Sequence, residues 1–104
     1  MAWSMLVLAG ALEIVFAVAM KSSDGFTRTL PALVTIASGI SSVVLLSLSL
    51  RSLPVGTGYA VWTGIGAAGT AIVGMIAFGD PVGLARLLCI GLILSGVIGL
   101  KVVS

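Results

Sequence analysis

The sequence predicts an all-α integral membrane protein with four transmembrane helices in a single domain, residues 1–104. Hydrophobic residues make up 60% of the chain and charged residues only 8%, whereas soluble domains carry about a quarter charged residues. Such an inventory cannot cover a water-exposed surface. Because a transmembrane helix needs about 20 mostly apolar residues, four spans with short loops account for the whole chain.

Turn-forming residues divide the chain into four apolar segments. The breakers in the three connections are Asp24-Gly25, Pro54 with Gly56, and Gly79-Asp80-Pro81. The predicted spans are residues 3–20, 30–50, 57–78 and 83–103. Pro31 suits the first turn of the second span, where its missing N–H costs little. At 1.5 Å per residue, spans of about 18 to 22 residues are just long enough to cross the hydrocarbon layer.

The charge and cysteine content excludes several classes of protein. The net charge of +2 comes from five basic and three acidic residues that are scattered singly, so no nucleic-acid partner is expected. The chain has no His and only one Cys, so the sequence predicts no metal site and no cofactor. It also has no nucleophile–base pair that would indicate an enzyme.

The basic residues are nearly balanced between the two sides of the membrane. With four spans, Arg51 and Lys101 flank one side, and Lys21, Arg28 and Arg86 flank the other. Because the Lys/Arg bias of short loops sets orientation, two against three predicts insertion in both orientations. Copies of opposite orientation can pair, and four short helices alone enclose little room for a substrate. An antiparallel dimer is therefore expected.

Small residues in the last two spans predict close contacts or bending, because helices in lipid associate where small residues let backbones approach. In the fourth span they recur every four residues, at Gly91, Ser95 and Gly99. We interpret this stripe as the dimer seam, with packing inside one chain as the alternative. The third span has a denser cluster, at Gly64, Gly66 and Gly69. A conformational hinge and a static close-packed seam both stay open for that cluster.

Glu13 is the only acidic residue within a predicted span, whereas Asp24 and Asp80 fall in turns and are interpreted as solvated. An ionised carboxylate in the bilayer core is costly unless it is protonated, paired with a cation or turned toward a water-filled cavity. No Lys or Arg lies at the same depth, which disfavours a structural ion pair. A proton and a cation can compete for such a carboxylate, and competition at a site exposed to alternating sides is the basis of antiport.

Helical spacing predicts the surroundings of Glu13. Gly10 and Phe16 lie three residues before and after it and share its face. In the third span, Tyr59 and Trp62 are three residues apart. Their rings can stack on a cation and their polar hydrogens can reach a carboxylate, although interfacial anchoring is the alternative for this pair.

Over its full length the sequence resembles the small multidrug resistance transporters. The resemblance rests on four spans in 104 residues, on Glu13 midway through the first, and on three motifs. These are Gly25-Phe26-Thr27-Arg28 followed by Pro31, Leu53-Pro54-Val55-Gly56-Thr57, and Tyr59-Ala60-Val61-Trp62-Thr63-Gly64-Ile65-Gly66. Within the family, residues 62–69 and the ending Gly99-Leu100-Lys101 are similar to the guanidinium-exporter branch.

The resemblance implies an antiparallel homodimer in a bacterial inner membrane that exchanges protons for guanidinium-like cations. It implies that Glu13 binds proton and substrate alternately. It further implies that Ser42, Tyr59 and Trp62 organise the Glu13 carboxylate, with Gly10 lining the pocket. For Ser42, a hydrogen bond to its own helix backbone is the alternative. The implied partners are small organic cations, protons and the lipid bilayer.

Phe16 departs from the guanidinium branch, which typically has a Trp three residues after the glutamate. Phe keeps the bulk of that side chain but lacks the indole N–H donor. The first alternative is therefore a broader exporter of quaternary ammonium or substituted guanidinium ions. A passive channel or a non-transporting partner subunit is the second, since Glu13 would then serve assembly.

Overall fold

The computed structural model describes residues 1–103, which form four helices joined by short connections. The helices are α1 (Ala2–Ser22), α2 (Thr29–Ser49), α3 (Val55–Ala77) and α4 (Leu84–Val103). Each bound lies within two residues of the range predicted from the sequence. All four helices are long and apolar enough to cross a membrane. The predicted class, an all-α protein with four transmembrane helices, is confirmed.

The helix ends follow the breaker residues. Pro31 lies in the first turn of α2, and Pro54 is the N-cap of α3, positions where proline removes no helical hydrogen bond. The α3 helix ends where Gly79 adopts a positive φ of 68°. The N–H of Asp80 then donates to the carbonyl of Gly74 at 3.1 Å, a common way to terminate a helix. This reversal carries Asp80 back toward α3.

The helices form a flat layer in which α1 packs against α2 and α3, and α4 packs against α3. The Cα atoms extend over 41 × 34 × 16 Å. Large apolar side chains are exposed on every helix, for example Val7 on α1, Ile36 on α2, Ile76 on α3 and Leu92 on α4. A single copy therefore leaves one face of most helices free for lipid or for a second copy.

The buried apolar core lies at the end of the layer where α1 begins, α2 ends and α3 begins. Its fully or almost fully buried members are Leu6, Ala9, Leu46 and Val61. Trp62 and Ile65 pack against this cluster from α3. Glu13 lies beyond the cluster and lines two clefts.

The three clustered glycines of α3 lie at contacts with neighbouring helices. A Cβ added to Gly64 would lie 2.5 Å from Cγ2 of Val97 on α4. One added to Gly66 would meet Glu13, and one added to Gly69 would meet Ile14. The structure thus uses these glycines for close approach of α3 to α1 and α4 in this conformation. Their role as a hinge stays a prediction.

The small-residue stripe of α4 faces away from the rest of the chain. A Cβ added to Gly91 or Gly99 would meet no atom within 4 Å, and the Ser95 hydroxyl donates to the carbonyl of Gly91 in its own helix at 2.7 Å. Ile90 is the buried residue of α4. Within residues 1–103 the stripe therefore packs against no other helix, and its role as a dimer seam stays a prediction.

Candidate functional site

Glu13 lies midway along α1 and is pressed against α3. A Cβ on Gly66 would lie 2.6 Å from Cγ and 3.2 Å from Cβ of Glu13, so a larger residue there would force the glutamate side chain to move. The Glu13 side chain is half-buried. No basic residue lies at the depth of Glu13, because the basic residues within the helices, Lys21, Arg86 and Lys101, lie near helix ends. The carboxylate is thus held in the membrane interior without a resident counter-ion from its own chain.

Glu13 separates two clefts, and Trp62 borders both of them. The α1–α2 cleft has a volume of about 570 Å³ and mostly apolar walls, which include Phe16, Phe26, Ile36, Ile40, Val43 and Val44. The α1–α3 cleft has a volume of about 530 Å³. Its walls are more polar and include Tyr59, Thr63, Thr70, Asp80 and Arg86. Both volumes fall within the range of about 300–1,000 Å³ that is usual for small-molecule sites.

Phe16 forms one wall of the α1–α2 cleft, and its ring is seated on Gly39 of α2. A Cβ on Gly39 would lie 2.8 Å from Cδ1 and 2.9 Å from Cε1 of Phe16. The missing side chain of Gly39 therefore sets how closely the ring approaches α2. This contact fixes the width of the cleft next to the carboxylate.

Ser42 links three helices through one buried hydroxyl. Its Oγ donates to the carbonyl of Ala9 on α1 at 2.6 Å and accepts the indole N–H of Trp62 on α3 at 2.9 Å. Ser38, one turn earlier, instead bonds the carbonyl of Val34 in its own helix. The Ser42 link fixes the Trp62 indole, whose ring borders both clefts.

Tyr59 and Trp62 form an aromatic pair on the α1–α3 cleft. Their ring centroids are 5.4 Å apart, with planes inclined by 52°. Tyr59 is 56% exposed, so its ring is free to contact a molecule in the cleft. Aromatic faces attract cations within about 6 Å of the ring centroid, and this pair offers such faces on the cleft that Glu13 also lines.

The structure brings most of the predicted site residues together. Glu13, Phe16, Tyr59 and Trp62 line the clefts, and Ser42 acts on them through Trp62. Gly10 is buried against Ile65, with a Cβ at 2.6 Å from Cγ2 of that residue. It therefore supports the contact between α1 and α3 and lines neither cleft. Among the described residues, the hydrogen bonds of Ser42 and Trp62 go to each other and to Ala9 rather than to the Glu13 carboxylate.

The sequence interpretation missed several residues of the clefts, among them Gly39, Asp80 and Arg86. Gly39 carries a weak signal, because glycine inside a helix costs about 1 kcal/mol relative to alanine and so suggests a close contact. Nothing in the sequence identifies Phe16 as that contact. Asp80 and Arg86 come from the connection between α3 and α4, and their approach to the α1–α3 cleft depends on how the chain turns at Gly79.

The Ser42 link predicts a stability effect. Ser42→Ala leaves the Trp62 N–H and the Ala9 carbonyl without their partner, so we expect the free energy of unfolding to fall by about 1 kcal/mol. The measurement is reversible unfolding in mixed detergent micelles, followed by tryptophan fluorescence. Ser41→Ala is the matched control, because Ser41 is exposed. Equal effects of the two substitutions would contradict a linking role for Ser42.

Comparison with known proteins agrees with these features. The profile of the Small Multidrug Resistance protein family matches residues 1–93. The guanidinium exporter of Yersinia pseudotuberculosis is 53% identical over 104 residues, covering all of both chains. That of Citrobacter freundii is 54% identical over 101 residues, covering 97% of this chain and 96% of the relative. That of Proteus vulgaris is 51% identical over 104 residues, again covering all of both chains. The match over nearly the whole length shows that the chain belongs to the small multidrug resistance family.

Proposed function

We propose that this protein is a proton-coupled antiporter that exports guanidinium and related small organic cations, with proton and substrate competing for Glu13. The observation that carries the proposal is the position of Glu13. It is the only acid within the four helices, and it borders both clefts without a counter-ion at its depth. The relatives named as guanidinium exporters support the choice of substrate.

The chemistry of exchange follows from the cost of an unpaired charge in the membrane. An ionised Glu13 in the bilayer interior is disfavoured, and either a bound proton or a bound organic cation makes the site neutral. The site therefore changes its exposure from one side to the other more readily when it is loaded. Because one carboxylate cannot hold both ligands, loading with one requires release of the other, which couples the two fluxes.

The aromatic residues supply a second element of cation selectivity. A planar guanidinium can stack on the face of an indole or phenol ring while it donates N–H bonds to a carboxylate. Trp62 and Tyr59 present such faces on the α1–α3 cleft, and the bond to Ser42 holds the indole in place. A metal cation would gain less from this arrangement, because no group of three or more His, Cys, Asp or Glu side chains comes together within residues 1–103.

An antiparallel homodimer in the bacterial inner membrane is part of the proposal. The flat shape of a single copy, 16 Å in its thin direction, leaves both clefts without a complete wall. The stripe of Gly91, Ser95 and Gly99 faces outward and offers a place where a second α4 can approach closely. The near balance of basic residues on the two sides supports insertion in both orientations.

A broader exporter of quaternary ammonium ions is the second candidate function. Phe16 favours it, because a phenyl ring cannot donate a hydrogen bond that would orient the carboxylate for a guanidinium. The volumes of the clefts favour it as well, since about 530 and 570 Å³ do not restrict the substrate to one as small as guanidinium. A comparison of transport rates for guanidinium and a quaternary ammonium ion therefore distinguishes the two candidate functions.

Purified protein in liposomes with an acidic interior tests the proposed function. We expect guanidinium to accumulate inside against its own gradient, because outward proton flow drives its uptake, and a protonophore should abolish the accumulation. The same assay with tetramethylammonium measures breadth: equal rates would favour the quaternary ammonium exporter. Flux that only runs down the guanidinium gradient would indicate a passive channel, and absence of flux would indicate a non-transporting subunit.

A further inference from the structure

A loose ion pair stands at the end of the α1–α3 cleft. Oδ2 of Asp80 lies 3.9 Å from Nη2 of Arg86, and their side chains are 45% and 42% exposed. Both residues line the same cleft as Glu13. Asp80 also borders an adjoining cavity together with Lys21 and Thr70, which places it near the end of α1. That cavity is lined by α1 residues from Ala17 to Lys21, which follow Glu13 by about 6 to 12 Å along the helix axis.

Asp80 is held against α3 by a backbone hydrogen bond, and the absence of a side chain at Gly74 makes room for it. Its N–H donates to the carbonyl of Gly74 at 3.1 Å. Its carboxylate rests where a Cβ of Gly74 would be. The Asp80 carboxylate therefore lies against α3 at the end of the cleft, where 45% of its side chain stays exposed.

The helix ends around this carboxylate favour a cation. The last carbonyl groups of α3 carry partial negative charge, which repels a carboxylate and attracts a positive group. Arg86 stands in the first turn of α4, where the partial positive charge of the helix end disfavours a guanidinium. Asp80 and the end of α3 thus form a place for a cation, and Arg86 occupies it from an unfavourable position on its own helix.

We propose that Asp80 is an outer binding site for organic cations on the α1–α3 cleft, and that the Arg86 guanidinium is a tethered occupant which a passing substrate displaces. The chemical match is direct, because the side chain that rests on Asp80 carries the same group as guanidinium. The separation of 3.9 Å is longer than the roughly 2.7–2.9 Å of a well-formed charge-assisted hydrogen bond. A half-exposed pair of this kind is weak, so a free guanidinium can replace Arg86 at small cost.

The role in transport rests on the proposed function of Glu13. A substrate cation that replaces Arg86 at Asp80 is held on the same cleft that Glu13 lines, which keeps it close to the inner site. Because Arg86 returns to Asp80 when the substrate leaves, the outer site does not retain its ligand. The outer site therefore affects how readily substrate reaches Glu13, and not the exchange at Glu13 itself.

Transport kinetics in liposomes test this role. Asp80→Asn should raise the KM for guanidinium by about fivefold and leave the maximal rate within twofold. Arg86→Gln should lower KM, because the tethered competitor is gone. Asp24→Asn is the matched control, since Asp24 lies on the same side in the α1–α2 turn and lines neither cleft. An unchanged KM in Asp80→Asn would overturn the proposal, and a KM raised equally by Arg86→Gln would show that the pair is structural.

A binding experiment separates this inference from the proposed function. The chain has only two aspartates, Asp24 and Asp80, so protein labelled with ¹³C-aspartate gives two side-chain carboxyl signals. Addition of guanidinium chloride, with sodium chloride as the control at equal ionic strength, should shift the Asp80 signal and leave that of Asp24 in place. The shift should persist in Glu13→Gln, which tests the outer site without transport. Equal shifts of the two aspartates, or none, would contradict an outer site even where transport is intact.

Discussion

Replacing Glu13 with glutamine should abolish proton-driven guanidinium transport while the four helices stay folded. Glutamine has nearly the same shape and leaves the contact with Gly66 intact, but it can neither release a proton nor pair with a cation. Loss of one partner from a desolvated charge pair costs about 2–5 kcal/mol, so we expect guanidinium binding to weaken by at least about thirtyfold. The measurements are uphill guanidinium uptake in liposomes and guanidinium binding by calorimetry in detergent.

Two controls separate the charge from the shape of residue 13. Glu13→Asp keeps the carboxylate and should retain exchange at a lower rate, because the shorter side chain places the charge differently. The helix content and melting temperature of Glu13→Gln should match those of the unmodified protein, because a neutral side chain is easier to bury. Retained proton-driven uptake in Glu13→Gln would refute the central role of this carboxylate.

Much of the fold was predictable from the sequence because a bilayer limits the choices. Length, apolar content and the breakers at Gly25, Pro54 and Gly79 leave little freedom in where each helix begins and ends. The same constraint makes Glu13 the candidate site residue, because an acid in the middle of a membrane span is costly and so suggests a function; its role stays a prediction. Which face of α4 packs against α3 was not predictable. The small residues of α4 mark a contact face, but a single sequence does not say whether that face meets the same chain or a second copy.

The fine structure of the site was less predictable because it depends on which helix faces meet. Periodicity places Ser42 and Trp62 on definite faces of their helices, but it does not show that one hydroxyl joins both α1 and α3. It also predicts that Gly10 shares the face of Glu13, but it does not show that this glycine packs against Ile65 instead of lining a cleft. Asp80 was interpreted as a solvated turn residue, and its approach to the α1–α3 cleft emerges only once the turn after α3 is known.

Gly66→Ala should weaken guanidinium binding with little loss of stability. The added Cβ would stand 2.6 Å from Cγ and 3.2 Å from Cβ of Glu13, so the glutamate must change its rotamer and its carboxylate must move. Alanine gains about 1 kcal/mol over glycine in helix propensity, which offsets part of the 1–3 kcal/mol that overpacking typically costs. We therefore expect a melting temperature near that of the unmodified protein and a binding constant weakened by about tenfold.

Substitutions at two other glycines of α3 test whether the weaker binding of Gly66→Ala comes from displacement of the Glu13 carboxylate. Gly69→Ala would press on Ile14, an apolar neighbour of Glu13, so it should lower stability more than it lowers binding. Gly56→Ala would meet no atom within 4 Å and should change neither. If Gly66→Ala and Gly69→Ala weaken binding equally, then the contact between α1 and α3 as a whole matters, rather than the placement of Glu13. If only Gly66→Ala weakens binding, the role of Gly66 is to leave room for the Glu13 side chain. The close approach of the α3 backbone then determines where the carboxylate lies.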